Sequence, residues 1–468
     1  MENITHPDHF QLEMGGSETP AGGEARPGAG GAVRLWRPER RQMAMVVQCP
    51  DDRVVATHPV RRVAEVVEPL DVSGFCAPIQ AREGVPGRDA TDPQLLIWLW
   101  LYACVRGIGS ARELARQGQE NAAFQWLCGG VSVNHRLLSD FRTDHGEAWD
   151  QLLTQVVASL VDKGVVKVSR ISQDGLRVRV GAGANSFRRE ERLEQLLAEA
   201  KRHVEELHQQ VDSPASPAEA ITARQAAARK RAGRKRAGRE RQERLEQAIA
   251  QLPELKWRQE EAARQAGQGK SGQKIREKEP RVSTTDAEAR VMKMPKGGFN
   301  AAQNVQLAAD AESRAIVGVE VSPEGSDVAG LSAPMREQVE KRTGRKVQEH
   351  LEDGGYLRKE DLEEAHAQGV ALFVPPKPAR RAEKRGHELD PQPGDSEAVL
   401  AWKQRMRSEE GKQIYKLRAA TSETVNAELR TYRGLGRILV RGLAKARCVA
   451  LWCALAYNVM HFAPVLLA

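Results

Sequence analysis

The chain has 468 residues, enough for roughly three domains of ordinary size. It carries 71 Lys and Arg against 63 Asp and Glu, a net charge of +8, which favours a polyanionic partner. The first residues lack the basic and apolar regions of a signal peptide, and the six cysteines form no C-x-x-C pair. We therefore expect neither a secreted protein nor a zinc finger, but a cytoplasmic protein with reduced thiols.

The N-terminal part changes character near residue 66. We predict that residues 1–65 are disordered or poorly ordered, because the first 45 are rich in Gly and Pro and poor in apolar residues. Residues 66–164 are predicted to be helical. Asp92 and Pro93 supply a cap and a first-turn proline, the stretch after them is apolar nearly all round, and Gly107 ends it. This helix should be buried.

Three shorter helices are expected next, starting from Ser110, near residue 121 and near residue 134, with glycine turns nearby. The last carries Arg136 and Arg142 among other polar residues. This pattern is compatible with a helix-turn-helix that lays polar side chains in a DNA groove, in which case both arginines are candidate DNA contacts. A small helical bundle with a solvated face fits the pattern equally well.

A strand-like run over residues 165–171 leads to Asp174, after which residues 186–283 read as a charged helical insertion. We predict an antiparallel helical hairpin with a basic tip, since nine Lys and Arg lie between residues 224 and 241 against the single acid Glu240. Such a block binds phosphates without sequence preference. A solvated, partly disordered linker is the alternative. The candidate DNA contacts in the block are Arg229, Lys230, Arg231, Arg234, Lys235 and Arg236.

Strands and helices alternate from residue 300 onward. Residues 303–307 and 315–321 are predicted to form a hairpin, and residues 347–352 and 370–374 are predicted strands that each follow a helix. Three antiparallel strands followed by two reached through helical crossovers give an α/β fold, a mixed five-stranded sheet flanked by helices. Asp174 follows the first of these strands and Asp353 the fourth.

A third carboxylate lies on the last predicted helix of this region. Glu423 and Arg430 are seven residues apart and project from nearly the same helical face, whereas Glu428 is turned away from it. Three carboxylates that are remote in sequence and meet in space suit a pair of Mg²⁺ ions, which take oxygen ligands and clamp a phosphodiester.

This arrangement resembles the RNase H-like catalytic core of DDE transposases from bacterial insertion sequences. The group concerned has its glutamate in a Y-x-x-R…E…K signature, which here reads Tyr415, Arg418, Glu423 and then Arg430 in place of lysine. Arginine keeps the positive charge of lysine, but a planar guanidinium replaces the compact ammonium group. Further matching pieces are Asp174-Gly175, Asn304-Val305-Gln306, Asp353-Gly354-Gly355-Tyr356, Arg433-Gly434-Leu435 and Arg441-Gly442.

The resemblance implies roles for these residues. Asp174, Asp353 and Glu423 would be the catalytic residues and the ligands of two Mg²⁺ ions, with Mn²⁺ as a substitute. Tyr415, Arg418 and Arg430 would contact DNA, although Tyr415 and Arg418 also read as ordinary surface residues of a helix.

The resemblance also implies a division of the chain. The catalytic domain would comprise residues 165–185 and 284–447, interrupted by the insertion at 186–283. Residues 448–468 are apolar, but Asn458, His461 and Pro464 interrupt them, so we expect a helix packed on the core rather than a membrane span.

The function implied is that of a transposase. It would bind double-stranded DNA at its element's ends, cut there and join the freed 3′-hydroxyl to target DNA, acting as a homodimer on DNA in the bacterial cytoplasm and associated with the nucleoid, not with a membrane. The alternatives are a transposon-derived DNA-binding protein without catalysis and a metal-dependent nuclease without strand transfer.

Overall fold

The computed structural model describes residues 47–84, 86–209, 221–267, 269–295, 297–325, 330–377 and 386–468. Most of the segment predicted to be disordered, residues 1–46, lies outside these ranges. From Pro50 onward that prediction is wrong. A 3-10 helix spans Pro50–Arg53, and helix α1 spans Pro59–Val67 with three of its valines fully buried. The valines recur at helical spacing, so this helix has an apolar face to bury.

The N-terminal helices begin where their capping residues predicted. Asp92, Ser110, Asn121 and Asn134 each accept a hydrogen bond from the first turn of the helix that follows. The predicted burial of the apolar helix is confirmed, because Trp100 at its centre is fully buried. The helices after α1 are α2 (Ser73–Cys76), α3 (Pro93–Val105), α4 (Ala111–Glu120), α5 (Ala122–Cys128), α6 (His135–Asp144) and α7 (Gly146–Asp162).

The strands of the described residues are β1 (Arg170–Arg179), β2 (Phe187–Arg188), β3 (Val282–Ser283), β4 (Arg290–Lys293), β5 (Phe299–Asp310), β6 (Ile316–Ser322), β7 (Glu349–Leu351) and β8 (Ala371–Phe373). The main sheet has the order β4-β5-β1-β7-β8, and β6 pairs with β5 beside β4. Strands β1, β4, β5 and β6 are paired antiparallel, whereas β7 and β8 run parallel to β1. The predicted mixed sheet is therefore confirmed, with β4 as an additional strand.

The remaining helices are α8 (Glu190–Gln209), α9 (Ile221–Ala250), α10 (Leu252–Ala266), α11 (Lys270–Arg276), α12 (Ser332–Thr343), α13 (Lys359–Ala367), α14 (Glu397–Arg407), α15 (Glu409–Arg418), α16 (Thr424–Thr431) and α17 (Leu443–Leu466). Single turns of 3-10 helix span Ala184–Ser186 and Gly354–Tyr356, and a π-helical turn spans Ala419–Glu423.

Strand β1 lies later in the chain than predicted. Val168 has a left-handed backbone, with φ of 63°, and its N–H donates a hydrogen bond to Asp310 Oδ1. This turn keeps the apolar run before it out of the sheet. The strand starts at Arg170, so Asp174 lies in its middle and not at its end.

The insertion forms a small structure with its own core. Strand β2 pairs with β3 at its base, and α8 packs antiparallel on α9 around a cluster of buried residues. The cluster consists of Leu193, Ala200, Leu245, Ala248, Leu252 and Val282. A helical hairpin is thus present, but its basic run is part of helix α9 and not a tip. The connection at residues 210–220, which would form the tip, lies outside the described residues.

Helix α17 is the centre of the main core. It packs on α3, α6, α7 and β6. Asn458, a polar residue that interrupts its apolar run, donates to Ile316 O at 2.8 Å and accepts from Ile316 N at 2.9 Å. Among the described residues α17 alone is long and apolar enough to cross a membrane, but 67% of its apolar window is buried in the protein. The predicted packing on the core is confirmed.

One continuous hydrophobic core joins the N-terminal helices to the sheet. Its members run from Val54 to Ala463, and Gln48–Ala468 form one compact unit. The predicted division at residue 165 therefore separates two parts of a shared core.

Candidate active site

The two predicted aspartates lie on neighbouring parallel strands. Asp174 is the fifth residue of β1, and Asp353 follows the end of β7 by two positions. Strands β1 and β7 pair with Ser172 opposite Leu351, so the same register continued by two residues sets Asp174 beside Asp353. Adjacent strands are about 4.8 Å apart, and residues in register project from one face. The fold thus brings together two carboxylates that are remote in sequence.

A buried polar cluster lies behind Asp353. Glu352 is fully buried and accepts a hydrogen bond from Ser332 Oγ, and burial raises the pKa of Glu352 to about 7. His350 Nε2 lies 3.4 Å from Glu352 Oε1, but burial lowers the pKa of this histidine well below its usual value. The contact is therefore not an ion pair at neutral pH. Since Glu352 points into the core, Asp353 is the carboxylate that this strand presents to the site; its Oδ1 accepts from Gly354 N at 2.7 Å.

The third carboxylate reaches the site through the π-helical turn Ala419–Glu423. In a regular α-helix, side chains five residues apart are turned about 140° from each other, whereas a π turn brings them towards one face. Arg418 and Glu423 have this spacing, and Arg418 Nη1 lies 3.7 Å from Glu423 Oε1. The turn therefore aligns Glu423 with Arg418, which a regular helix would not do.

Arg418 is the side chain on which the carboxylates converge. Its Nη2 lies 3.1 Å from Asp174 Oδ1, and the arginine side chain is 11% exposed. Burial alone would lower the pKa of Arg418, but the negative charges of Asp174, Asp353 and Glu423 outweigh that effect, and the pKa is raised. Burial also raises the pKa of Tyr415, with Arg418 opposing the rise and the same three carboxylates adding to it. Arg418 thus balances the charge of three carboxylates.

Asn426 is a site residue that the sequence did not reveal. Its Nδ2 donates to Asp174 Oδ2 at 3.0 Å, while its Oδ1 is buried and accepts no hydrogen bond from any described residue. It lies three positions after Glu423, so the two share a helical face. That spacing is the signal that would have found it.

Glu428, the competing glutamate, has other partners. Its Oε1 accepts from Arg433 Nη2 at 2.6 Å, and His461 Nε2 lies 2.8 Å from its Oε2. Burial would raise the pKa of Glu428, but the hydrogen bonds from His461 and Arg433 lower it. This carboxylate stabilises the contact between α16 and α17. Its two oxygens are engaged away from Asp174.

The arrangement offers oxygen ligands to a divalent cation. Carboxylates are the ligands that Mg²⁺ prefers, and Asn426 Oδ1 adds a buried oxygen to them. Over the described ranges, no three His, Cys, Asp or Glu side chains stand close enough together to hold a metal ion as they are. The oxygen atoms of these residues are suitable ligands for a hard cation. In this structure the guanidinium of Arg418 contacts both Asp174 and Glu423.

The predicted DNA contacts outside the site differ in exposure. Arg136 is exposed at the start of α6. Arg142 does not fit its predicted role, because it is buried, donates to Gly109 O at 2.7 Å and lies over the ring of Trp100. The sequence pattern did not reveal that α6 turns this arginine inward. Arg430 is half-buried and makes no hydrogen bond or ion pair to another described residue.

The basic residues of the insertion form an exposed helical surface. Of the six candidate DNA contacts in the block, Lys235 is half-buried and the other five are exposed: Arg229, Lys230, Arg231, Arg234 and Arg236. Arg236 pairs with Glu240 at 2.9 Å one helical turn away. The block is thus an ordered charged surface and not a linker.

Two family models match the chain. The Transposase domain (DUF772) matches residues 48–144, and the Transposase DDE domain matches residues 376–463. The first covers α1 to α6, and the second covers Tyr415, Arg418 and Glu423, whereas both aspartates lie between the two matches. Neither a curated protein nor a solved structure matches the chain.

Both matches are to transposase domains, the second of the DDE class, and together they support a DDE transposase of an insertion sequence.

Proposed function

We propose that the protein binds the ends of its insertion sequence and catalyses Mg²⁺-dependent DNA cleavage and strand transfer. The observation that carries this proposal is that Arg418 contacts both Asp174 and Glu423, while the register of β1 and β7 sets Asp353 beside Asp174. The main sheet, in which β1, β4, β5 and β6 are antiparallel while β7 and β8 run parallel to β1, agrees with an RNase H-like core. The match to a DDE transposase domain supports DNA as the substrate.

Each side chain has a task in this proposal. Strands β1 and β7 hold Asp174 and Asp353 side by side, and Asn426 orients Asp174 through its amide. These aspartates and Glu423 would hold two Mg²⁺ ions, or Mn²⁺ in their place. The metal pair supplies an activated water or DNA 3′-hydroxyl and stabilises the leaving oxygen. Arg418 can donate to a phosphate as readily as to a carboxylate, so it is also a contact for the scissile phosphate.

Positioning and charge neutralisation suffice for phosphoryl transfer, so the remaining task is to hold DNA. The surfaces proposed to hold DNA are Arg136, Arg430 and the basic face of α9. Contacts to phosphates that do not depend on base sequence need cations that the DNA can reach. In this proposal the protein acts in the cytoplasm, at the nucleoid where its DNA lies, and the burial of α17 argues against a membrane span.

The test is a strand-transfer assay with labelled element ends, a target plasmid and Mg²⁺. Joined products are expected from the wild-type protein. Cleavage without joining would make the protein a nuclease, and DNA binding without cleavage would make it a DNA-binding protein without catalysis.

Asp174→Asn and Asp353→Asn should each abolish cleavage and joining. Both variants keep the shape of the side chain and should still bind DNA, since contacts elsewhere dominate affinity. Glu410→Gln, at an exposed position of α15, is the matched control for the loss of one negative charge and should react like the wild type. Normal joining by either aspartate variant would refute the assignment of the site.

A further inference from the structure

An arginine-lined cavity lies at the base of the insertion, away from the three carboxylates. Its volume is about 370 Å³. Apart from two leucines, its lining consists of five arginines and two threonines: Arg188, Arg192, Arg241, Arg244, Arg441, Thr284 and Thr285. No acidic side chain lines it, so the cavity concentrates positive charge and hydroxyl groups.

The charges in this cavity are only partly balanced by the protein. Arg192 pairs with Glu199 at 3.3 Å. Arg241, Arg244 and Arg441 make no hydrogen bond or ion pair to another described residue. Burial lowers the pKa of Arg244, and the nearby Arg441 lowers it further, against a smaller opposing effect of Glu240. Arginines that repel each other in a cavity are stabilised by an anion between them.

The cavity joins two parts of the chain. Four of its arginines belong to the insertion, on β2, α8 and α9, whereas Arg441 lies just before α17. The segment before Arg441 is tied to the end of β1, because Ile438 N donates to Arg179 O at 2.8 Å. Asp174 lies five residues earlier on the same strand, about 16 Å along it. An anion in the cavity would therefore link the insertion to the strand that carries the site.

Thr284 and Thr285 add hydroxyl groups, and a group of guanidinium and hydroxyl donors without carboxylates suits phosphate oxygens. The opening is accessible, because Arg192, Arg241 and Arg441 are exposed. A phosphate that is part of a polymer can enter such a cavity from the side.

We propose that this cavity binds a backbone phosphate of the DNA whose strand reaches the carboxylates, and so fixes the insertion on the DNA. This inference rests on the proposed function, since it takes DNA as the substrate. A free phosphate ion offers the same chemistry, and the experiment separates the two sources.

The test compares Arg241→Gln/Arg244→Gln with the control Arg202→Gln/Arg264→Gln. The control removes two exposed insertion charges that do not line the cavity. DNA affinity is measured by fluorescence anisotropy over a range of salt concentrations. The cavity variant should bind DNA about tenfold to a hundredfold more weakly, as expected for lost charged hydrogen bonds. Its logarithmic salt slope should fall by about 0.9 for each lost phosphate contact, and the control should keep both values.

The melting temperature supplies the second readout. Without added anion, the cavity variant should melt higher than the wild type, because the repulsion between its arginines is relieved. Inorganic phosphate at matched ionic strength should stabilise the wild type and not the variant. Arg441→Gln, which lies outside the insertion, should repeat the loss of DNA affinity and guards against misfolding of the double variant.

Wild-type DNA affinity in the cavity variants, together with normal cleavage, would overturn this inference and leave the proposed function standing. Stabilisation by phosphate without any effect on DNA affinity would assign the cavity to a free ion and also overturn it. A wild-type protein that binds no DNA would overturn both.

Discussion

Two glutamates five residues apart have opposite environments in this protein. Glu423 is 63% exposed and contacts Arg418, whereas Glu428 is 18% exposed and holds Arg433 and His461. We propose that Glu423 acts on the substrate, whereas Glu428 holds two helices together.

Separate effects on activity and stability should follow. Glu423→Gln should lower cleavage by at least about a hundredfold, equivalent to about 2.7 kcal/mol of lost transition-state stabilisation, with little change in stability. Glu428→Gln should cost about 1–3 kcal/mol of stability, because it leaves Arg433 without its charged partner, with little change in the cleavage rate of the folded protein. Cleavage kinetics and urea unfolding measure the two effects. Loss of cleavage in Glu428→Gln alone would move the third catalytic carboxylate to residue 428.

Asp286 predicts a pH dependence of stability. Burial raises the pKa of its carboxyl, although Gly442 N and Glu288 N donate hydrogen bonds to it, and its Oδ2 has no partner among the described residues. A raised pKa in the folded state means that the folded protein binds the proton more tightly than the unfolded one. The contribution of Asp286 to stability is therefore fully present below the ordinary pKa of 3.8 and is lost as pH rises through the raised value.

Asp286→Asn removes this titration. The melting temperature of the variant, relative to the wild type, should be more favourable at neutral pH than at pH 4. Asp140→Asn, at an exposed position of α6, controls for the loss of one charge. A difference that does not change with pH would show that the pKa of Asp286 is the same in the folded and the unfolded protein.

At the scale of elements, helix α9 turns a run of basic residues into a surface. Its thirty residues have almost no apolar face over the basic part, and Val204 and Leu207 of α8 pack against it at Gly238. An exposed helix is stabilised partly by the helix propensity of its residues and by ion pairs between successive turns. The charge of α9 is thus available to a polyanion.

Replacing Arg229, Lys230, Arg231, Arg234, Lys235 and Arg236 by Gln should weaken binding to all DNA sequences alike. The logarithmic salt slope should fall by about 0.9 for each lost phosphate contact, and Gln should preserve the helix. The matched control changes the four arginines to Lys, which keeps the charge and should keep the slope. An unchanged slope in the Gln variant would show that α9 does not contact DNA.

At the scale of the whole molecule, the proposed site uses three carboxylates of one chain, whereas an insertion sequence has two ends. Cutting and joining both ends in concert requires at least two copies, related by a two-fold axis. The leucine-bearing faces of α8 and of the segment from α9 into α10 pack against each other within one chain, so they do not supply the contact between chains.

We therefore expect a monomer or weak dimer in the free state and a dimer when paired end DNA is added. Light scattering with and without end DNA measures the change, and DNA of unrelated sequence is the control. A DNA-bound species that contains one chain and still joins two ends would contradict this expectation.

Most helices and strands of this protein, and its resemblance to DDE transposases, could be predicted from local sequence patterns. Caps such as Asp92 and Asn134 act within a few residues, and apolar periodicity reports one face of one element, so both can be read locally. The strand order followed from the same patterns, because few connections between such elements are allowed.

The assembly of the site, and the exposure of charged side chains to a binding partner, depend on contacts made only in the folded protein. The π turn that aligns Glu423 with Arg418, the amide of Asn426 on Asp174 and the inward turn of Arg142 each depend on what packs against them. The cavity of arginines depends in the same way on segments that are distant in sequence. These features arise from contacts between elements, and the residue pattern of a single element does not predict such contacts.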